Sequence, residues 1–215
     1  APWEKAAFTQ CSVFQGGFTL EAAEHVLDLG AWPDAPWVVD VVQSLVDKSL
    51  LRSLHGEAST DGATPMRLGM FVSLQEYARA KLQASDAAAG SEPAALAIEE
   101  RHRRWYARFG SDEVMESLNM RGGIDLGILI ADLDNLMAAC GSAAARKDGR
   151  SAAATYRAIA AVLADRYGRP AAWIAYPVAG LVGLATVQQD THWASDILAG
   201  AGLGLHPSGP RHPQQ

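Results

Sequence analysis

A histidine and an aspartate near the end of the chain have a spacing that could support catalysis. His192 and Asp196 stand at positions i and i+4, which places both side chains on one face if the segment is helical. Phosphoryl transfer to a histidine requires an imidazole that is held in one tautomer, and a carboxylate one helical turn away can hold it. These two residues are therefore the candidate catalytic pair.

The surroundings of this pair lack the positive charge that a phosphate would need. Preorganised cations around the phosphoryl oxygens remove much of the barrier to phosphoryl transfer. The nearest upstream arginines, Arg166 and Arg169, would lie about 27 Å away if 170–187 is one continuous helix. A general acid is also lacking, with His206 as a weak candidate. We therefore expect a structural hydrogen bond within the pair and no active phosphatase.

Other motifs that carry chemistry are missing from the sequence. No G-x-x-x-x-G-K-[ST] motif occurs, so the chain holds no P-loop for a nucleotide. Gly200, Gly202 and Gly204 follow no predicted strand and indicate close packing of helices. The histidines show no metal-ligand spacing, and we expect neither a metal nor a cofactor. Cys11 and Cys140 lie on apolar helical patterns and are predicted to be reduced core residues.

Charge divides the chain into two unequal parts. The net charge is −6, and acidic and basic residues alternate through most of the sequence, which argues against a nucleic-acid surface. After residue 169 the charged residues are Arg211, Asp190 and Asp196 alone. The uncharged stretch 170–187 is at the lower edge of a membrane-spanning length. A membrane span and a buried helical hairpin both remain open for this stretch.

The first 85 residues predict a winged-helix-like module. Apolar spacing predicts three helices, which Gly16-Gly17 and Gly30 separate from one another. Alternating residues around 50–54 and 66–70 then predict a β-hairpin, and a fourth helix follows from Phe71. Its would-be recognition helix, 37–51, carries Asp40 and Asp47 against a single lysine. Carboxylates facing a phosphate backbone lower affinity, so we expect no binding to nucleic acid.

Amphipathic helices continue after a flexible linker at 86–93. The patterns predict a helical region over 92–163, an apolar helical hairpin over 164–205 and a disordered tail over 206–215. The fold class is therefore mainly α with a small β-hairpin. Within the helical region, we interpret the run RHRR at 101–104 and the aspartates Asp132 and Asp134 as solvated helix surface.

The first three quarters of the chain resemble a known family. The strings that carry the resemblance are CSVFQGGFTLEAAEHVL (11–27), LVDKSLL (45–51), FVSLQEYARAKL (71–82), RH-x-x-WY (101–106) and DLDNLMAA (132–139). They occur in the order found after the nucleotide-binding module of STAND-type, NB-ARC-containing bacterial regulatory ATPases. The resemblance covers about 1–163 and implies a winged-helix domain followed by helical repeats, whose partners are other domains or proteins of a regulatory ATPase.

The end of the chain resembles a different family. Residues 164–205 are similar to the last helices of the type 2 phosphatidic acid phosphatase superfamily, whose pattern is S-R-x5-H-x3-D followed by a small-residue helix. His192 and Asp196 match this pattern, and the resemblance implies that His192 is the nucleophile. Ala185 and Thr186 stand where the family has Ser and Arg. The two upstream motifs of the family are also missing, which leaves the resemblance without the family's cationic residues.

Two functions follow from these observations. The first is a non-catalytic interaction and relay fragment of a signal-transducing regulatory ATPase. The alternative is an inactive, membrane-associated protein that resembles lipid-phosphate phosphatases. We expect a cytoplasmic location, with membrane association through 170–187 as the alternative.

Overall fold

A computed structural model gives the fold of the chain, and it describes residues 1–54, 66–89, 94–118 and 126–167, with the backbone alone for 85–89. Within these ranges the chain is mainly helical, at 74% of residues, and has one small antiparallel sheet of three strands. The predicted mainly α fold class with a β-hairpin is confirmed at this level. The predicted wing loop, residues 90–93 of the predicted linker, residues 119–125 and the whole chain beyond Tyr167 lie outside the described residues. The prediction of a flexible linker over 86–93 was wrong for 86–89, which are helical.

The N-terminal half forms helices around the sheet. Helix α1 is continued by a 3-10 turn, Cys11–Val13, and strand β1 leads directly into helix α2. Helix α3, the hairpin and helix α4 follow. The bounds are α1 Pro2–Gln10, β1 Phe18–Thr19, α2 Leu20–Val26, α3 Val38–Asp47, β2 Arg52–Leu54, β3 Arg67–Gly69 and α4 Val72–Ala89.

Helix α2 begins after a capping threonine and ends earlier than the pattern predicts. The Thr19 hydroxyl accepts a hydrogen bond from the Ala22 amide at 3.2 Å, as an N-cap does. The pattern predicted that the helix would run to Gly30, but Leu27 has extended dihedral angles. Gln10 binds both backbone groups of Asp28, whose amide lies 2.6 Å from its Oε1 and whose carbonyl lies 2.8 Å from its Nε2. These two bonds hold the chain extended beside α1.

The sheet contains one strand that the sequence did not predict. The hairpin strands β2 and β3 pair as expected, and β1 pairs with the other side of β3, so that Phe18 lies opposite Leu68. Two residues are too few for an alternating pattern to be recognised. The sheet order is therefore β1-β3-β2, with β3 in the centre.

The second half consists of helices packed on the first half. Helices α8 and α9 lie antiparallel, joined by a short turn in which Lys147 has a φ of 60°. The amphipathic pattern continues from 125 through α8 and by itself indicates one helix, but the chain turns at Asp132. The short helix α6 has no counterpart among the predicted elements. The bounds are α5 Ala94–Ala107, α6 Asp112–Ser117, α7 Leu126–Ala131, α8 Leu133–Ala145 and α9 Gly149–Tyr167.

One hydrophobic core joins the two halves. Its buried side chains run from Ala7 in α1 to Val162 in α9 and include Phe18 and Leu68 of the sheet. Helix α5 packs against both α2 and α8, so it lies between the halves. The domain boundary at 86–93 stays a prediction. Both cysteines are free thiols, as expected, and Cys11 is buried while Cys140 is half-buried.

Two glycines allow the packing of the second half to be tested. A Cβ on Gly110 would lie 1.8 Å from the Ala154 carbonyl oxygen of α9, whereas a Cβ on Gly141 of α8 would meet nothing within 4 Å. We expect Gly110→Ala to lower the free energy of unfolding by about 1–3 kcal/mol through overpacking. Gly141→Ala, its matched control, should raise it by up to about 1 kcal/mol through helix propensity. Urea denaturation followed by circular dichroism measures both, and equal midpoints would contradict the close approach of α9.

Candidate functional site

A buried aspartate stands at the turn between α7 and α8. Asp132 is 3% exposed, and its Oδ1 accepts a hydrogen bond from Arg67 Nη2 of β3 at 2.8 Å. Both side chains of this ion pair are nearly inaccessible to solvent. The interpretation of Asp132 as helix-surface charge was therefore wrong, although it holds for its exposed neighbour Asp134. The continuous helical pattern concealed the turn that directs Asp132 inward.

Two further side chains bind the same carboxylate oxygen. The Tyr106 hydroxyl of α5 donates to Asp132 Oδ1 at 3.3 Å, and Asn135 Nδ2 of α8 donates at 3.2 Å. Tyr106 is fully buried, and burial, together with the Asp132 charge, raises the pKa of its hydroxyl. The tyrosine therefore stays protonated and acts as a donor.

Asn135 connects α8 to the turn before β1. Its Nδ2 donates to the Gly17 carbonyl at 2.6 Å, and its Oδ1 accepts from the Gln15 amide at 2.7 Å. These two bonds fix the orientation of the amide, because only the oxygen can accept from a backbone N–H. The same Oδ1 lies 3.3 Å from His102 Nε2. The His102 proton therefore sits on Nε2, which leaves Nδ1 as the acceptor of the ring.

His102 is an uncharged, buried histidine at neutral pH. It is 3% exposed and lies among aromatic rings, with its centroid 5.6 Å from Phe14 and 4.7 Å from Tyr106. Burial lowers the pKa of His102 to about 4, although the bond to Asn135 and the charge of Asp132 act in the opposite direction. The prediction that 101–104 is a solvated face was wrong for His102 and Arg103, which are both buried.

A glycine turn brings the backbone into this group. Gly16 and Gly17 have φ values of 68° and 106°, which side-chain-bearing residues rarely adopt. A Cβ on Gly17 would lie 2.6 Å from Leu54 Cδ1 and 3.0 Å from the Leu68 carbonyl oxygen. The Gly17 carbonyl can therefore reach the interior, where Arg67 Nη2 donates to it at 2.9 Å.

These groups form what we call the polar cluster, which consists of the Gln15 amide, the Gly17 carbonyl and the side chains of Arg67, His102, Tyr106, Asp132 and Asn135. The N-terminal half supplies the first three groups, and the helical half supplies the other four. Among the described residues, the buried polar side-chain atoms without a partner are Arg103 Nη1 and Ser142 Oγ, and neither belongs to the cluster. A fully bonded, buried arrangement suits mechanical coupling of the two halves.

Salt bridges at the surface also join the halves. Arg101 of α5 pairs with Asp28, and Arg108 pairs with Glu21 of α2 at 3.4 Å. Arg108 also covers the Trp105 ring, with its guanidinium carbon 3.2 Å from the centroid. These pairs are partly exposed, and such pairs contribute little each. The buried cluster is therefore the stronger link between the halves.

The predicted catalytic pair lies outside the described residues. His192 and Asp196 follow Tyr167, the last residue that the structure describes, as does the uncharged stretch 170–187. Within the described ranges no helix is long and apolar enough to cross a membrane. No three His, Cys, Asp or Glu residues in those ranges are placed to hold a metal ion. The phosphatase-like alternative thus stays a prediction.

The strings that carry the family resemblance contain every residue of the polar cluster except Arg67, but their pattern did not indicate that these residues meet. Asn135 and Asp132 belong to DLDNLMAA, and His102 and Tyr106 belong to RH-x-x-WY. Arg67, a charged residue in a predicted strand beside apolar neighbours, was the signal that could have indicated a buried ion pair. No local spacing rule relates β3 to α8, so its partner was not predictable.

The ion pair can be tested by removing one charge. We expect Asp132→Asn to lower the free energy of unfolding by about 3–5 kcal/mol, because Arg67 is left buried without a counter-ion. Asp134→Asn, its exposed neighbour, should change it by less than about 0.5 kcal/mol. The double variant Arg67→Met/Asp132→Asn should be more stable than Asp132→Asn alone, since no buried charge remains. Urea denaturation of both single variants and of the double variant completes the comparison. If the changes in the free energy of unfolding simply add in the double variant, the pairing of Arg67 with Asp132 is contradicted.

His102 should make stability depend on pH in a defined window. Its folded pKa of about 4 lies below the ordinary 6.5, so between these pH values the unfolded state binds a proton that the folded state does not. This group should therefore lower the free energy of unfolding by about 3 kcal/mol as the pH falls from 6.5 to 4. His102→Gln, which retains a donor for Asn135, should lose this part of the fall. His25→Gln, at an exposed position, should keep it, and identical profiles for all three proteins would refute the assignment.

Comparison with protein-family models, curated proteins and solved structures found no match for this chain. The residues of the polar cluster and the resemblance in the sequence are therefore the grounds on which a function can be proposed.

Proposed function

We propose that this chain is a non-catalytic relay module of a STAND-type regulatory ATPase. The observation that carries the proposal is the polar cluster, which joins the turn before β1 and strand β3 to helices α5 and α8. Three of the strings that carry the family resemblance, at 11–27, 101–106 and 132–139, supply residues to it. In this proposal the cluster transmits the position of one half to the other.

The physical reason lies in the cost of a partly broken cluster. A buried charge that loses its partner costs several kcal/mol, and so a half-separated arrangement is strongly disfavoured. Arg67 belongs to one half and Asp132 to the other, so neither can move alone without leaving the other unpaired. The polar cluster therefore has two favourable states. In one all of its bonds are formed, and in the other the two halves are separated and the charges are hydrated. Two-state behaviour of this kind is what a relay needs.

The order of elements supports a winged-helix identity for the N-terminal half. A short strand lies between the first two helices and pairs with the central strand of a hairpin that follows the third helix. That arrangement is the one expected of a winged helix, with the hairpin loop as the wing. The antiparallel pair α8 and α9 is similarly suited to be one unit of a helical-repeat region.

The surface of α3 favours protein partners over nucleic acid. Its exposed positions include Asp40 and Asp47, while Lys48 pairs with Glu4 of α1. Trp37, at the start of α3, is 83% exposed, and exposed aromatic residues are enriched at protein interfaces. The partners we propose are other domains or proteins of a regulatory ATPase in the cytoplasm. Sequence-independent DNA affinity with a steep salt dependence would count against this proposal.

Hydrogen exchange can test the relay directly. Gly17→Ala places strain at a φ of 106° and displaces the carbonyl that Arg67 and Asn135 share. We expect exchange to become about tenfold faster or more both in β3 and in the first turn of α8, which are far apart in the sequence. Gly30→Ala, where a Cβ would lie 3.1 Å from Asp28 Oδ1 and meet no other atom within 4 Å, is the matched control.

Two outcomes would contradict the relay. If Gly17→Ala accelerates exchange in β3 alone, the cluster does not transmit the change to α8. If it accelerates exchange equally in all described helices, including the distant end of α9, the substitution has lowered global stability without specific coupling. Mass spectrometry of peptides from the exchanged protein distinguishes these results.

A further inference from the structure

A cleft lies directly beside the polar cluster. It has a volume of about 740 Å³ and is bounded by the 3-10 turn after α1 and by helices α4, α5 and α8. His102 belongs both to the cleft wall and to the cluster, through its bond to Asn135. The volume is within the range of small-molecule sites, and the cleft lies between the two halves that the cluster joins.

The floor and the rim of the cleft differ in chemistry. Buried side chains form the floor, and they include Leu82, Ile98 and His102, which are 7%, 1% and 3% exposed. The more exposed side chains of Arg79 and Arg146 lie at the rim. A ligand that fits this arrangement has an apolar body and a polar head.

Charge decides the sign of that head. The titratable side chains that line the cleft are Arg79, Glu99, His102 and Arg146. His102 is neutral above its pKa of about 4, so two guanidinium groups and one carboxylate remain, and the cleft carries a positive charge on a chain whose net charge is −6. Arg146 donates to Glu99 at 3.0 Å and Arg79 donates to the Ser12 carbonyl at 3.1 Å. Each bond engages one of the five N–H donors of a guanidinium.

One wall of the cleft also holds a polar atom without a partner. Ser142 lines the cleft, and its buried Oγ is one of the two side-chain atoms that lack a partner in the described part of the chain. An unpaired buried hydroxyl costs about 1–3 kcal/mol. This Oγ is closed off from solvent, so a molecule in the cleft does not contact it unless the wall shifts. Beside it, a Cβ on Gly141 would meet nothing within 4 Å, so this wall has open space.

We propose that the cleft binds an amphipathic organic anion, with the apolar body on Leu82 and Ile98 and the acidic head between Arg79 and Arg146. Its contact with His102 would bias the polar cluster, and this second step rests on the proposed relay function. The signal read by the relay is then a small carboxylate, sulfonate or phosphate with an apolar chain. No covalent step is involved.

Binding can be measured with probes of defined charge. Anilinonaphthalene sulfonate should bind the folded full-length chain with a rise in fluorescence, and octanoate should displace it. Octanol, which lacks the charge, and octylamine, which has the opposite charge, should displace it about tenfold less effectively. Equal displacement by all three molecules would overturn the assignment of an anion site.

Two substitutions locate the site. Gly141→Leu fills the open space and should weaken probe binding about tenfold or more, whereas Ala153→Leu, at an exposed position of α9 outside the cleft, should leave it unchanged. Arg79→Gln should reduce displacement by octanoate but not by octanol. Unchanged binding in Gly141→Leu, with circular dichroism confirming its fold, would overturn the proposal.

The link to the relay has its own readout. If octanoate binds and also changes exchange of the first turn of α8 in the wild-type chain but not in Gly141→Leu, both steps are supported. Binding that leaves exchange unchanged would support the site and refute its control of the cluster. If Gly17→Ala accelerates hydrogen exchange in both β3 and α8 but octanoate does not bind, the relay is supported and the cleft is refuted as its sensor.

Discussion

The ion pair between Arg67 and Asp132 constrains the rest of the molecule. Two charges removed from water cost more than their attraction returns unless every remaining polar group is also bonded. The Gly17 carbonyl accepts a second hydrogen bond of Arg67, and Tyr106 and Asn135 donate to the carboxylate. Each of these groups is in turn held by another element, since the glycine turn, α5 and α8 must all be in place. The pair therefore requires the assembled fold as much as it stabilises it.

The sequence predicted the local elements well and the polar cluster poorly, for one physical reason. Caps, turns and strand pairs depend on neighbours a few residues away, as at Thr19 and Gly17, and those neighbours are visible in the pattern. Arg67 and Asp132 depend on each other across a large sequence separation. A helical pattern that continued from α7 into α8 also made Asp132 look like surface, although the dihedral angles of this residue, φ −99° and ψ 10°, depart from those of a helix. The sequence could show which segments supply most residues of the candidate site. It could not show that these residues meet, because their contacts form only in the tertiary fold.

Electrostatics separates the interior of the chain from its surface. Inside, the charges of Arg67 and Asp132 cancel at close range, while the buried Arg103 pairs with Asp148, which is partly exposed. Outside, Lys48 and Ser44 of α3 bind Glu4 of α1, and chiefly the bond with Lys48 lowers the pKa of Glu4 to about 2. The single lysine near the end of α3 is thus engaged within the module, and the exposed Asp40 and Asp47 dominate the remaining face. That face repels phosphate and leaves an apolar aromatic, Trp37, beside acidic residues, which is a combination suited to a basic or apolar protein surface.

His102 sets a limit on what a molecule in the cleft can do to the cluster. A ligand shifts an equilibrium only by the difference between its affinities for the two states. Contacts with Arg79 and Arg146 at the rim are not part of the cluster, so they contribute affinity without necessarily contributing a shift. The His102 ring is different, because its Nε2 proton is committed to Asn135, whose other bonds hold the Gln15 amide and the Gly17 carbonyl. A ligand that turned this ring would withdraw one of the two donors from Asn135 Oδ1 and loosen the amide that joins α8 to the glycine turn. The differential contact that a signal requires must therefore pass through the imidazole, and a rim-bound anion that does not reach it would bind without being sensed.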